Sequence, residues 1–337
     1  MRAPAATTCP CFPTWDERSA TMNRSRVILI ILVISLLAAA AGCGKVTSPP
    51  APDGIVVVDD LGKEVRLKEP AKKIISLYTA HTENLFSLGL DEEIIGVSES
   101  ESYPPAALAK QPYSFRADAE KIIAARPDLV LARTFIANNY PDFITKLETA
   151  GIPVAVLYPE NIDQFLVYLQ KLGTLTGKEK EAGDLVAEFN GRLKQIEESV
   201  AGIPQQERKK VFFETTKDIQ TCTPDSNAAF VLEKAGAVNA AADAEAVRAG
   251  STIASYGHER LISIGRDVDV YIVQSGEMNK TQAEEIYLRP GYQVIKAVQD
   301  RQVYLVDEAV VSRPTMRLLD GISQIGRILY PEHFKNN

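Results

Sequence analysis

The chain has 337 residues, of which 45% are hydrophobic and 24% charged, and its net charge is −7. That composition describes a globular protein with a core, and the negative balance excludes the basic surface that a nucleic-acid partner requires. Once a leader is removed, roughly 295 residues remain, a length that suits two domains of ordinary size.

Residues 1–21 contain Cys9, Cys11 and Trp15 and lack the features of an export signal, so they read as an extension from a start codon assigned too early. From Met22, Arg24 and Arg26 precede an apolar run over 27–41 that ends in small residues before Cys43. At roughly 15 residues the run is shorter than the roughly 18 to 20 that span a bilayer, and 22–42 reads as a cleaved signal peptide. The order "LAAAAGC" resembles the bacterial lipobox, which implies that Cys43 receives lipid and becomes the new amino terminus. Residues 43–54 then form a flexible tether. Cys222 is the one thiol left, so no internal disulfide is expected.

The N-terminal lobe is expected over 55–178. "IVVVDD" and "EVRL" flank Leu61-Gly62, a hairpin signal. The strand "KKIISL", the helix "TENLFSLGL", the strand "EIIGV", the helix "DAEKIIAAR", the strand "DLVLA", the helix "PDFITKLETAG" and the strand "IPVAVLY" follow. Such alternation predicts a parallel sheet covered by helices. In "KEKEAGDLVAEFNGRLKQIEESVAGIP", apolar residues from Ala182 to Val200 recur at intervals of three and four, and Gly202 and Pro204 stop the pattern. It predicts a linking helix within 179–204, some 30 to 37 Å long at about 1.5 Å per residue. The C-terminal lobe, 205–337, repeats the plan with strands "KKVFFE", "VDVYIVQSG" and "RQVYLVD" and helices "AAFVLEKAG", "GHERLISIG" and "GYQVIKAVQ". The fold class is therefore α/β, two lobes, each around a mostly parallel sheet, joined by one long helix.

"LVLA" has no polar face, so it belongs in the middle of its sheet. Ligands of open parallel sheets bind in the crevice outside the carboxyl ends of the strands. Arg133, directly after that strand, would look into such a cleft, and Arg313 in "VVSRPT" holds the analogous place in the second lobe. Tyr78 after "IISL", Tyr158 after "VAVL" and Tyr256 in "TIASYGHE" are candidates for its walls. His81 and His258 are isolated, and no His, Asp and Glu cluster of the kind a divalent-metal site wants is visible. Zinc-protease, nucleophile-elbow, Walker and dinucleotide motifs are all missing, so the chain does not read as an enzyme.

"KKIISLYTAHTENLFSLGLDEEIIGVSESESYPPAAL", "AEKIIAARPDLVLA", the central helix and "RPTMRLLDGISQIGRILYPE", in that order, resemble the class III substrate-binding proteins of ABC importers, which include cobalamin-, haem- and ferric-siderophore-binding proteins. The resemblance covers nearly the whole chain after the tether. It implies a monomer anchored by lipid at the outer face of the cell membrane, with no resident cofactor, that delivers a metal chelate to a permease and its ATPase. A ferric siderophore or related iron complex is the first ligand it suggests, then a corrinoid or haem. A surface receptor with no importer would share every one of these features. The resemblance also implies that Arg116, in the loop before "DAEKIIAAR", offers a guanidinium to the ligand's oxygens. Each lobe of such a protein presents an acidic residue to the permease; Asp142 and Glu277 hold the matching positions, with Glu148 or Glu284 as alternatives a helical turn or two away.

Overall fold

The computed structural model of the chain describes residues 54–334. Its first strands, β1 (Ile55–Val58) and β2 (Glu64–Leu67), pair antiparallel with Ile55 opposite Leu67. Asp59 holds their turn, its Oδ1 accepting from the backbone N–H groups of Leu61 and Lys63.

The first lobe continues with β3 (Ile74–Ser76), α1 (Thr79–Ser87), β4 (Ile94–Ser98), β5 (Pro112–Tyr113), α2 (Ala119–Ala125), β6 (Leu129–Ala132), α3 (Thr134–Asn139), α4 (Pro141–Thr149) and β7 (Val154–Val156). Strands β3 to β7 form one sheet in the order β5-β4-β3-β6-β7, every pair parallel. Ile74, Ile75 and all of β6 are fully buried, as befits central strands covered on both faces.

Two helices then pack side by side, α5 (Ile162–Thr176) and α6 (Glu179–Val200). The sequence expectation has no element at α5. Its signals are nonetheless present: Asn161 caps it by accepting from the N–H of Gln164, Gly177 ends it at φ +68°, and Phe165, Tyr168, Leu169 and Leu172 bury one face. Helix α6 is continuous over 22 residues and buries Ala182, Phe189, Ile196 and Val200, part of the predicted apolar stripe. One hydrophobic cluster runs from Leu85 and Leu172 through Phe189 to Val211 and Ile322, so the two lobes share a core along this helix.

The second lobe contains β8 (Lys210–Glu214), β9 (Gln220–Cys222), α7 (Asn227–Lys234), β10 (Val238–Asn239), β11 (Glu245–Ala246), β12 (Ile253–Ser255), α8 (His258–Ile264), β13 (Val270–Ser275), α9 (Ala283–Leu288), α10 (Lys296–Gln299), β14 (Val303–Asp307), α11 (Glu308–Val311) and α12 (Leu318–Leu329). A parallel sheet runs β10-β8-β13-β14, and a small antiparallel one runs β11-β12-β9. The small sheet is absent from the sequence expectation because strands of two or three residues are too short to show alternation. "GYQVIKAVQ" is not one helix: it divides into a single turn at Tyr292–Val294 and α10, with Ile295 buried at the break.

Both parallel sheets begin in the middle, grow to one side and then return to the other. The reversal falls between β3 and β6 in the first lobe and between β8 and β13 in the second. These are the places where an open sheet leaves a crevice at its strand ends.

Candidate functional site

The chain leaving each of those four strands reaches one cavity. Tyr78 follows β3, Arg133 follows β6, Thr215 follows β8 and Glu277 follows β13, and all four line a space of about 190 Å³ between the lobes. Tyr158 beyond β7 and Arg313 beyond α11 complete its charged and aromatic wall.

On the first lobe, the Tyr78 and Tyr158 rings lie 5.9 Å apart, and Tyr158 shares the cavity wall with Thr252 of the second lobe. The Arg133 guanidinium sits between two rings, 4.9 Å from the centre of Tyr78 and 5.0 Å from that of Phe135. Phe135 in turn touches Phe115 and Tyr140, whose own rings are 4.9 Å apart. An aromatic track therefore leads from the cavity out along the rim of the first lobe.

On the second lobe, Arg313 pairs with Glu308 at 3.3 Å and reaches across to Ser102 Oγ at 3.4 Å. The other Glu308 oxygen accepts from the Met278 N–H, and the Ser312 hydroxyl bonds Gln274. Gly276 is required here, since a Cβ would lie 2.6 Å from the Glu308 side chain. Ser226, Asn227 and Ala228, at the amino end of α7, close the inner wall.

Burial pushes the Tyr78 and Tyr158 phenols above the usual tyrosine range and the Cys222 thiol up to about 11. These two phenols and the thiol are thus protonated at neutral pH. His81 stands behind the wall, fully buried: its Nε2–H donates to the Ala132 carbonyl and its Nδ1 accepts from the Tyr168 hydroxyl. Burial first of all lowers its pKa to about 4. His258 is stacked on Tyr292 in the second lobe and does not face the cavity.

The family description "periplasmic binding protein" matches residues 74–310. The chain is 30% identical to an ABC transporter substrate-binding lipoprotein, YvrC, of Bacillus subtilis, over 83% of its own length and 87% of that protein's. The chain belongs to the periplasmic binding protein family. This periplasmic binding protein is also 25% identical to a vitamin B12-binding protein of Vibrio cholerae, over 76% of this chain and 88% of that one. The crystal structure of a possible iron-binding, periplasmic solute-binding protein from Staphylococcus epidermidis superposes with a TM-score of 0.67 at 30% identity, covering 78% of this chain and all of that one. The family is one of non-enzymatic solute binders with two lobes.

In this periplasmic binding protein Tyr78, Arg133, Tyr158 and Arg313 meet at the cavity, whereas two other predicted residues do not. Arg116 is exposed, pairs with Glu99 at 3.2 Å and lies over the Phe115 ring, at the far end of the rim track. Tyr256 is a core residue, packed on Phe212 beneath Arg260, because β12 turns it toward the second lobe's interior. Asp142 is exposed in the first turn of α4, while Glu277 leaves β13 directly and borders the cavity. The residue in the position equivalent to Asp142, the first turn of the helix that follows β13, is Glu284. Thr215, Asn227, Thr252 and Gln274 carry no motif. Only the "DSNAAF" capping signature, with Ser226 accepting from the Ala229 N–H, marks the start of α7 in advance. Cys43 and the signal and tether expectations lie outside the described residues.

Proposed function

We propose that this protein is the substrate-binding subunit of an ABC importer whose cargo is a metal chelate with its metal already fully ligated, a corrinoid in the first place. The observation that carries this reading is the track of rings and guanidinium groups from Tyr158 and Tyr78 through Arg133 to Phe135, Tyr140 and Phe115. It is far longer than a small solute needs and suits the broad face of a macrocycle. The protonated phenols and thiol favour a ligand that brings its own coordination shell. The name of the Vibrio cholerae relative, matched over most of both chains, supports the corrinoid.

An iron complex is the second reading. Among the described residues Arg133 has ring contacts but no carboxylate partner, which leaves its donors for anionic oxygens, and Arg116 lies at the end of the same track. Cys43 would tether the protein to the membrane beside its permease, as the word lipoprotein in the name of the Bacillus relative suggests.

Calorimetry with cyanocobalamin, a ferric trishydroxamate and haemin tests the reading. Cyanocobalamin should bind with Kd below about 1 µM, near −8 kcal/mol. Binding of the ferric complex alone would transfer the assignment to iron, and silence toward all three would reject the metal-chelate reading.

A further inference from the structure

The cavity and the proposed ligand differ in size. Ligand pockets usually measure about 300 to 1,000 Å³, and this one is about 190 Å³. A corrin or a ferric chelate cannot enter it whole, but one polar arm can.

The inner wall is built for a particular kind of arm. Helix α7 spans eight residues, Asn227–Lys234, and its amino end faces the cavity through Asn227 and Ala228. Ser226 Oγ satisfies the Ala229 N–H. The N–H groups of Asn227 and Ala228 have no acceptor among the described residues. Asn227 is only 4% exposed, and its Oδ1 has no hydrogen-bond partner. An unpaired buried acceptor is costly, and the two ends of a carboxamide are assigned from the hydrogen bonds around it: turned over, Asn227 would present its Nδ2–H donors in place of that oxygen. From the other lobe Arg133 brings its guanidinium to the same cavity. Two carboxylates also line the space, each with a cation beside it: Glu308 pairs with Arg313 and accepts from the Met278 N–H, and Glu277 is 73% exposed beside Lys280. Unfilled N–H groups at a helix start and a guanidinium opposite them form a site for negative oxygen.

We propose that the cavity is an oxyanion subsite, which anchors one phosphate- or carboxylate-bearing arm of the ligand between the amino end of α7 and Arg133 while the body of the ligand stays on the rim track. Because the two halves of the subsite belong to different lobes, the anchored arm also draws the lobes together. This deepens the chelate reading and rests on it for the identity of the ligand. The subsite itself requires only the anion.

The test compares cyanocobalamin, which carries a phosphodiester, with dicyanocobinamide, which lacks it, and uses inorganic phosphate as a third probe. Asn227→Asp puts a carboxylate where the anion would sit, and Arg133→Gln removes the opposite charge; melting temperatures verify that both variants fold. Each substitution should weaken cyanocobalamin binding about tenfold or more and abolish phosphate binding, and Asn227→Asp should leave dicyanocobinamide within about twofold. Equal losses for the two corrinoids, or no loss for either, would overturn the subsite. If neither corrinoid binds, the corrinoid reading fails alone: phosphate binding lost in both variants still supports the subsite, and no phosphate binding to the parent protein rejects it.

Discussion

Glu101 is the residue whose surroundings are most at odds with its charge. One carboxylate oxygen accepts from the Thr82 hydroxyl at 2.9 Å, and the other is buried with no partner. Burial pushes its pKa up to about 7 and Glu83 adds to the rise, while Arg313 across the lobes opposes it. A carboxyl raised on folding contributes its stability in full below its unfolded pKa and loses it as pH rises through the folded one. At about 1.4 kcal/mol per pH unit, the move from 4.5 to about 7 amounts to on the order of 3 kcal/mol. His81 runs the other way: its pKa is depressed to about 4, so its contribution is full above 6.5 and is lost as pH falls toward 4. Between pH 4.5 and 6.5 the two slopes offset each other. Glu101→Gln should therefore be near neutral at pH 5 and stabilising at pH 8, by up to roughly 3 kcal/mol. Urea titrations at the two pH values measure this, and an equal shift at both would show that Glu101 does not titrate as described.

The stretch "RPTMRLLDGI", which leads into helix α12, ties the two lobes together. Just before it, Arg317 reaches into the first lobe, donating from Nε and Nη2 to the two oxygens of Glu83 at 2.9 and 2.8 Å and stacking 4.2 Å over Tyr103. Asn84 donates to the Pro314 carbonyl beside it, so α1 and the start of α12 are held together across the lobes. The helix itself is seated by Gly321, where a Cβ would fall 2.0 Å from the Val310 carbonyl oxygen. Backbone cannot yield as a side chain tip can. Gly321→Ala should displace α12 from α11 and cost about 1 to 3 kcal/mol, seen as a lower melting temperature. An unchanged melting temperature would mean that the contact relaxes without cost.

At the scale of the molecule, α6 and the core shared along it restrict how far the lobes can part. Small-angle scattering with and without ligand should show little change in radius of gyration, and a marked compaction would refute the shared core as a restraint. The likeness of the two lobes also bears on where a permease would meet them. Asp142 and Glu284 both stand exposed in the first turn of the helix that returns from a switch-point strand, and single exposed ion pairs contribute only about 0.2 to 1 kcal/mol. Acting at both ends of one interface they also steer the encounter. Asp142→Arg combined with Glu284→Arg should abolish ATPase stimulation in a reconstituted transporter while ligand affinity stays within about twofold. Repeating the experiment with Glu277→Arg in place of Glu284→Arg should also disturb ligand binding, because Glu277 borders the cavity. Full stimulation by the Asp142 and Glu284 double variant would exclude these carboxylates as docking points.

The strands of the two parallel sheets apart from the short β5 and β10, the helices α1, α2, α4, α7 and α8, the long helix and the cavity residues Tyr78, Arg133, Tyr158 and Arg313 were legible in the sequence by itself, whereas α5 and the small antiparallel sheet were not. The physical reason is that helix periodicity and strand patterning are local, and in a parallel sheet the strand order alone says which residues leave at the carboxyl ends. Arg116 and Tyr256 also sit near strand or helix ends, yet one turns out to Glu99 and the other into a core. Which way a loop side chain turns depends on neighbours far away in the chain. The same holds for Asn227, whose side-chain oxygen is buried without a partner only because β9, α7 and the first lobe close one space around it. That Glu284, rather than Glu277, stands at the first-turn position equivalent to Asp142 could be seen only with the lobes compared as folded objects. Local pattern thus determined the elements and their ends; the packing of distant segments decided which of those ends face one another across the cleft.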